Sequence, residues 1–162
     1  MAADLNRYSK TRLIPGIELT HVPPEMFAEL TRQARELGAG IVVAHGETVM
    51  EPVRPGTNRA AIEAGVDILS HPGFITDEEA ELAAVRGVFL EITGRKGHSL
   101  TNGYVAAMAV KHGAKMAVNA DAHGPGDFLT TRMAEIVALG ACLSAEQYAR
   151  IRKDMSELAE KA

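Results

Sequence analysis

The stretch Gly40–His45 has the sequence GIVVAH, in which four consecutive apolar residues lead into a histidine. The apolar residues do not alternate with polar ones, which is the pattern of a strand covered on both faces of a parallel sheet. Four further runs of this kind lie along the chain, at Leu13–Glu18, Val66–His71, Gly87–Thr93 and Lys115–Asp121. The sequence therefore predicts five buried strands.

Helix-forming segments fill the intervals between these runs. They are Pro24–Leu37, Asn58–Ala64, Asp77–Arg86, Asn102–His112, Asp127–Leu139 and Ala145–Lys161. Glycine follows most of them, and capping boxes precede the helices at Asp77 and Ala145. Alternation of strands and helices predicts an α/β fold of parallel βα repeats. With 162 residues, the chain has the length of a single domain, 1–162.

The composition is that of a folded globular protein, with 46% hydrophobic and 23% charged residues. The single cysteine excludes an intrachain disulfide framework, and no run is apolar enough for a membrane span or a signal peptide. We therefore expect a cytoplasmic protein without a membrane partner. A net charge of −4 and 4% aromatic residues argue against nucleic acid as a partner.

Polar residues that can bind a metal ion stand at the ends of the predicted strands. Glu18, His45 and His71 end the first three, Glu91 lies in the fourth, and Asp121 ends the fifth. The carboxyl ends of parallel strands lie on one rim of a sheet, so these residues converge. A lone histidine after a strand is more often a turn or core residue, but the repetition favours a metal site. Two histidines and a carboxylate can hold a divalent ion and leave a position open for water.

Three further residues could belong to this rim. His123 alternates with Asp121, and a turn at the strand end would bring both side chains to the rim. Glu47, two residues after His45, could orient that histidine from behind or face water. His21 could line the site or shape a turn before the following prolines.

The segment Thr93–Gly103 (TGRKGHSLTNG) is the best candidate for an anion site. It contains Arg95, Lys96 and His98, followed by Thr101 at a predicted helix start. Cationic side chains and free N–H groups at a helix N-terminus bind phosphate. The alternative is an ordinary solvated loop with a helix cap.

Four short stretches carry a family resemblance: PGIE at 15–18, VAHGE at 43–47, ILSHPG at 68–73 and NADAH at 119–123. With these the chain resembles the PHP (polymerase and histidinol phosphatase) domains, and their histidinol-phosphatase-like subgroup in particular. The resemblance implies a distorted barrel of seven βα units with metal ions at the strand ends. The opening H-x-H strand of that family has no counterpart here, so we expect an incomplete, distorted (β/α)7 TIM-like barrel.

The resemblance also implies roles for the rim residues. Glu18 would bridge metal ions, His45 and His71 would complete one site, and Asp121 and His123 would belong to a second and a third. The ions would be zinc, manganese or iron. We expect a metal-dependent phosphatase in which activated water attacks a small phosphomonoester. Glu18 and Asp121 would be catalytic, and the cationic loop would hold the phosphate.

Two alternatives stay open. The chain could be a truncated PHP domain with little or no catalysis that serves as a subunit or binding module. It could also be a metal-dependent hydrolase similar to the amidohydrolases. In each case an incomplete barrel has open edges and an uncovered interior face. We therefore expect a homo-oligomer or a partner chain that covers them.

Overall fold

The computed structural model describes residues 2–162, which fold around one five-stranded parallel sheet. The strands β1–β5 are Gly16–Leu19, Ile41–His45, Ile68–Ser70, Phe89–Thr93 and Met116–Asn119. They lie in the sheet in chain order, and each pairs in parallel with the next. All carboxyl ends therefore face the same rim.

Seven α-helices accompany the strands. The helices α1–α7 are Ala2–Asn6, Phe27–Glu36, Thr57–Ala64, Asp77–Arg86, Asn102–His112, Thr131–Gly140 and Ala145–Lys161. Short 3₁₀ turns at Pro24–Met26, His98–Thr101 and Pro125–Asp127 precede three of them. Across residues 2–162, none of the helices combines the length and the apolar composition that a membrane span requires.

Local capping chemistry sets the helix starts. Both predicted capping boxes are present, at Thr76 before α4 and at Ser144 before α7. Helix α6 begins four residues later than predicted, at Thr131, because the hydroxyl of Thr130 accepts a hydrogen bond from the N–H of Met133 at 3.1 Å. The carboxylate of Asp127 instead accepts hydrogen bonds within the preceding turn.

Successive strand residues point to opposite faces of the sheet, which gives two apolar clusters. The larger cluster lies between the sheet and the helices and includes Val42, Leu69 and Leu90. The smaller cluster lies on the other face and contains Ile68, Phe89 and Ala117. Two residues of α7, Met155 and Leu158, pack against the smaller cluster.

The sheet is open, so the prediction of a distorted seven-unit barrel of the PHP type is wrong. Strands β1 and β5 each pair with a neighbour on one side only, over the part of the chain that the structure describes. Helix α7 passes over the face that a closed barrel would turn inward. The chain thus covers with its own helix part of a face for which we expected a second copy or a partner chain.

We predict that Leu158→Ala lowers the free energy of unfolding by about 1–3 kcal/mol, measured by urea denaturation. The loss stays at the low end of the range for leucine because Leu158 is only partly buried. Lys153→Ala, on the exposed side of the same helix, is the control and should change stability by less than about 0.5 kcal/mol. Equal effects of the two substitutions would contradict the packing of α7 on the sheet.

Candidate metal centre

Three buried histidines meet at the carboxyl rim of the sheet. His45 ends β2, His71 follows β3, and His98 begins the 3₁₀ turn after β4. The ring centroids of His45 and His71 are 4.5 Å apart, and those of His71 and His98 are 4.4 Å apart. One ring nitrogen from each histidine lies within 4.8 Å of the other two. The spacing is small enough for one metal ion to bind all three after slight adjustment.

Hydrogen bonds hold each ring by its Nδ1 atom. The Nδ1 of His45 lies 3.1 Å from the carbonyl oxygen of Gly46, and the Nδ1 of His98 lies 2.9 Å from the hydroxyl of Thr48. The Nδ1 of His71 lies 3.0 Å from a carboxylate oxygen of Glu91. For His45 and His71 the acceptor at Nδ1 selects the tautomer with a lone pair on Nε2.

The Nε2 atoms of His45 and His71 are buried and have no hydrogen-bond partner among the described residues. A buried polar atom without a partner is costly and calls for an explanation, such as a bound ion. Here both residues belong to the one group of three or more in residues 2–162 whose ligand atoms are close enough to share a cation. The cluster is therefore a candidate metal centre.

Glu91 supports the cluster from inside the sheet. Its carboxylate is almost fully buried and accepts hydrogen bonds from both the backbone N–H and the Nδ1–H of His71, at 2.8 and 3.0 Å. This contact orients the ring and increases the electron-donating strength of its other nitrogen. A charged residue inside an otherwise apolar strand, FLEIT, was the sequence signal for this role.

Close approach of two loops brings the ends of β2 and β3 together. The N–H of Gly46 donates to the carbonyl of Ser70 at 2.9 Å, and a Cβ atom at Gly46 would collide with that carbonyl. Gly73 has φ +64° and lies against the backbone of Glu47. Side chains at these two glycines would separate the loops that carry His45 and His71.

Glu18, Asp121 and His123 lie beside the histidine cluster, on a cavity of about 100 Å³ that His45 and His98 also line. Burial, and next the charge of Asp121, raise the pKa of Glu18.

The structure brings the predicted ligands His45 and His71 together, but the third member of their compact group is His98, and Glu18 lies outside it. The ring of His123 is mostly exposed, and its Nδ1 lies 2.9 Å from the carbonyl of Asp121.

Strained backbone marks this rim. Among residues 2–162, four residues other than glycine have positive φ, and three of them are His21, His71 and Asp121. Such conformations cost about 1–3 kcal/mol each and concentrate at functional sites. The same turn at Asp121 ends the last strand two residues before the predicted boundary.

The predicted anion loop has a different shape from the one expected. Arg95 lies 3.3 Å from a carboxylate oxygen of Asp127 and 3.7 Å from one of Asp121, so its charge is largely balanced. Thr101 is buried within the 3₁₀ turn rather than exposed at an open helix end. Lys96 is exposed and lines a groove of about 720 Å³ between this loop and α6.

Glu47 and His21 make contacts that the sequence did not identify. The carboxylate of Glu47 accepts hydrogen bonds from the N–H groups of Gly56 and Asn58, at 2.9 and 3.0 Å, at the start of α3. The Nε2 of His21 lies 3.0 Å from a carboxylate oxygen of Glu51, and its ring stacks near that of His45. Glu51 comes from a loop with no sequence signal for a site residue.

The comparisons with known proteins give the fold a context. An uncharacterized protein of Methanocaldococcus jannaschii is 48% identical over 136 residues, which is 83% of this chain and 62% of the relative. The chain thus spans less than two thirds of that relative's length. A chain in a cryo-EM structure of archaeal Ribonuclease P with mature tRNA matches 98% of this chain and 72% of its own length, at TM-score 0.74 and 18% identity. No family model matches the sequence.

These findings correct the family prediction. A solved fold that this chain resembles comes from a Ribonuclease P structure, and no family model supports PHP membership. The predicted phosphatase activity is therefore wrong, as are the inactive PHP and amidohydrolase-like alternatives. Short polar stretches at strand ends do not identify a family, because parallel sheets of many families gather polar residues there.

The predicted partners need the same correction. We expected a small phosphorylated substrate, a second copy or covering chain, and no nucleic acid. The matching fold comes from a structure that contains tRNA, which overturns that prediction. The net charge does not decide this point, because it averages over the whole surface, whereas a nucleic acid contacts only part of it.

We predict that the metal-free protein loses stability as the pH falls from about 7.5 to 5.5. Burial, and next the neighbouring His71, lower the pKa of both His45 and His98 below the ordinary value of 6.5. The unfolded chain then binds protons first, so acid favours unfolding. The raised pKa of Glu18 has the opposite effect and favours the folded protein as the pH falls. This effect sets in at lower pH, closer to 4.5, the ordinary pKa of a glutamate.

Urea denaturation at several pH values, with a chelator present, measures this slope. His45→Gln should flatten it, and His123→Gln, which replaces an exposed ring, is the control. A stability that rises toward pH 5.5 in the unsubstituted protein would contradict the assignment.

Proposed function

We propose that this chain is an RNA-associated subunit of a larger assembly and that its histidine cluster holds a divalent metal ion. The observation that carries the first part is the likeness to a chain in the tRNA-containing Ribonuclease P structure, which extends over 98% of this chain. The unpartnered Nε2 atoms of His45 and His71 carry the second part.

The donor set favours particular ions. Three imidazoles from His45, His71 and His98 suit zinc or iron(II), whereas manganese prefers oxygen ligands. Of the three ions considered from the sequence, zinc and iron therefore fit the cluster best. When bound, such an ion would cross-link β2, β3 and the loop after β4, and it would offer a cationic centre to a phosphate oxygen.

An RNA contact is compatible with the net charge of −4. Charges separated by more than about 8–10 Å are largely screened at physiological salt, so the charge near the contact decides. The exposed cation of Lys96 lies in the loop next to the histidine cluster. The chain alone offers few free cations at this rim, so we expect other subunits to supply much of the RNA-binding surface.

We predict one tightly bound zinc or iron ion per chain, measured by elemental analysis and calorimetric titration. His71→Gln should weaken zinc binding by at least about 100-fold, because it removes one of the three nitrogen ligands, the one that Glu91 orients. Glu91→Gln should weaken it by about 10–100-fold through the orientation of His71.

The control for this experiment is His112→Gln. His112 lies on α5 and contacts Asp77, away from the rim, so the substitution should leave zinc affinity unchanged. A protein that binds zinc equally well without His71 would exclude the cluster as the metal site.

We predict that the chain binds labelled tRNA at low salt and that the logarithm of the binding constant falls linearly with the logarithm of the salt concentration. Fluorescence anisotropy provides the measurement. Lys96→Glu should weaken binding and reduce the salt slope by about one, because it removes a cation next to the cluster. Lys153→Glu on α7 changes the net charge equally and serves as the control.

Two results together would overturn the RNA proposal. One is the absence of tRNA binding at low salt. The other is the absence of RNA crosslinked to the tagged chain after ultraviolet irradiation of its native cells. Equal losses of tRNA affinity from the substitutions at Lys96 and Lys153 would show that the RNA does not contact the rim.

A further inference from the structure

The loop between β2 and α3 places a carboxylate at the histidine cluster. One oxygen of Glu51 lies 3.7 Å from the Nε2 of His45, the buried nitrogen that has no hydrogen-bond partner among the described residues. The side chain of Glu51 is 52% exposed, so it reaches the cluster from the solvent side. The carboxylate of Glu91, by contrast, is almost fully buried and contacts the Nδ1 of His71.

The distance between these two atoms fits a shared ion. Zinc binds histidine nitrogen at about 2.0–2.1 Å and carboxylate oxygen at about 2.0–2.2 Å, in tetrahedral geometry. Two ligand atoms at those distances lie about 3.3–3.5 Å apart. The separation of 3.7 Å between Glu51 and His45 is close to this range. Because Glu51 lies outside the compact group of the three histidines, its exposed side chain must also move toward His71 and His98 to share their ion.

Contacts on both sides hold this carboxylate near the cluster. Its other oxygen lies 3.0 Å from the Nε2 of His21, whose ring stacks near that of His45 with 5.7 Å between centroids. Farther along the same loop, Arg54 forms an ion pair with Glu25 at 2.9 Å. The loop is thus fastened to the segment before α2 at two points.

Charge balance favours a second carboxylate at the site. Three neutral imidazoles leave a divalent ion with its full charge of +2, and burying an uncompensated charge is strongly unfavourable. The carboxylate of Glu91 compensates part of this charge through His71. One more carboxylate in direct contact with the ion would bring the centre close to neutrality.

We propose that Glu51 is the carboxylate ligand that closes the metal site formed by His45, His71 and His98. This proposal rests on the metal binding proposed above. It assigns the fourth position to a residue on an exposed loop rather than to Glu18 at the end of β1. The loop that carries Glu51 would then lie between the ion and the solvent.

Cobalt(II) titration of the full chain tests the assignment, because cobalt reports its ligands in its visible spectrum. Glu51→Gln should change that spectrum and weaken cobalt binding by at least about 10-fold, measured by competition with a chelator. Glu51→Asp keeps the carboxylate and should restore part of the affinity. Glu63→Gln, which removes an exposed carboxylate paired with Arg59 on α3, is the control and should leave the spectrum unchanged.

The outcomes separate the two proposals. If the unsubstituted protein binds neither cobalt nor zinc, the proposed metal centre itself fails. If it binds cobalt, and Glu51→Gln binds equally well with the same spectrum, only the assignment of Glu51 fails. A loss of affinity in Glu18→Gln but not in Glu51→Gln would also overturn it, in favour of Glu18.

Discussion

The buried contact between His71 and Glu91 is the constraint on which the rim depends. Strands β3 and β4 pair in parallel with Leu69 opposite Leu90, and this register places the carboxylate of Glu91 beside the backbone and ring of His71. A carboxylate with almost no exposure requires such donors, since burying it alone would be far too costly. The pair therefore fixes the direction of the His71 ring, and the other two histidines gather around it.

The sequence predicted the strands well and their ends less well. Apolar runs such as GIVVAH identify buried strands because a parallel sheet covered on both faces buries most of its side chains. At Asp121 the chain turns with positive φ, and a periodic pattern carries no information about such a turn. The helix starts at Asp77 and Ala145 were predictable because capping boxes are local, whereas the cover that α7 provides depends on packing between distant segments.

The candidate site was only partly readable for the same reason. His45 and His71 stand at strand ends, where the topology alone brings residues together. His98 and Glu51 lie on loops, and their positions follow from loop conformation, which the sequence pattern does not specify. The short stretches that resembled a phosphatase family carry polar strand ends, and these are common to parallel sheets with many functions.

Helix α7 also bears on how the protein is made. Residues 145–161 leave the ribosome after all five strands, so Ile68 and Phe89 have no helix over them while the sheet is being assembled. During translation the nascent sheet is therefore apolar on an open side, a situation that favours aggregation or chaperone capture. The native packing of Ile68 and Phe89 therefore forms only after residues 145–161 have been synthesised.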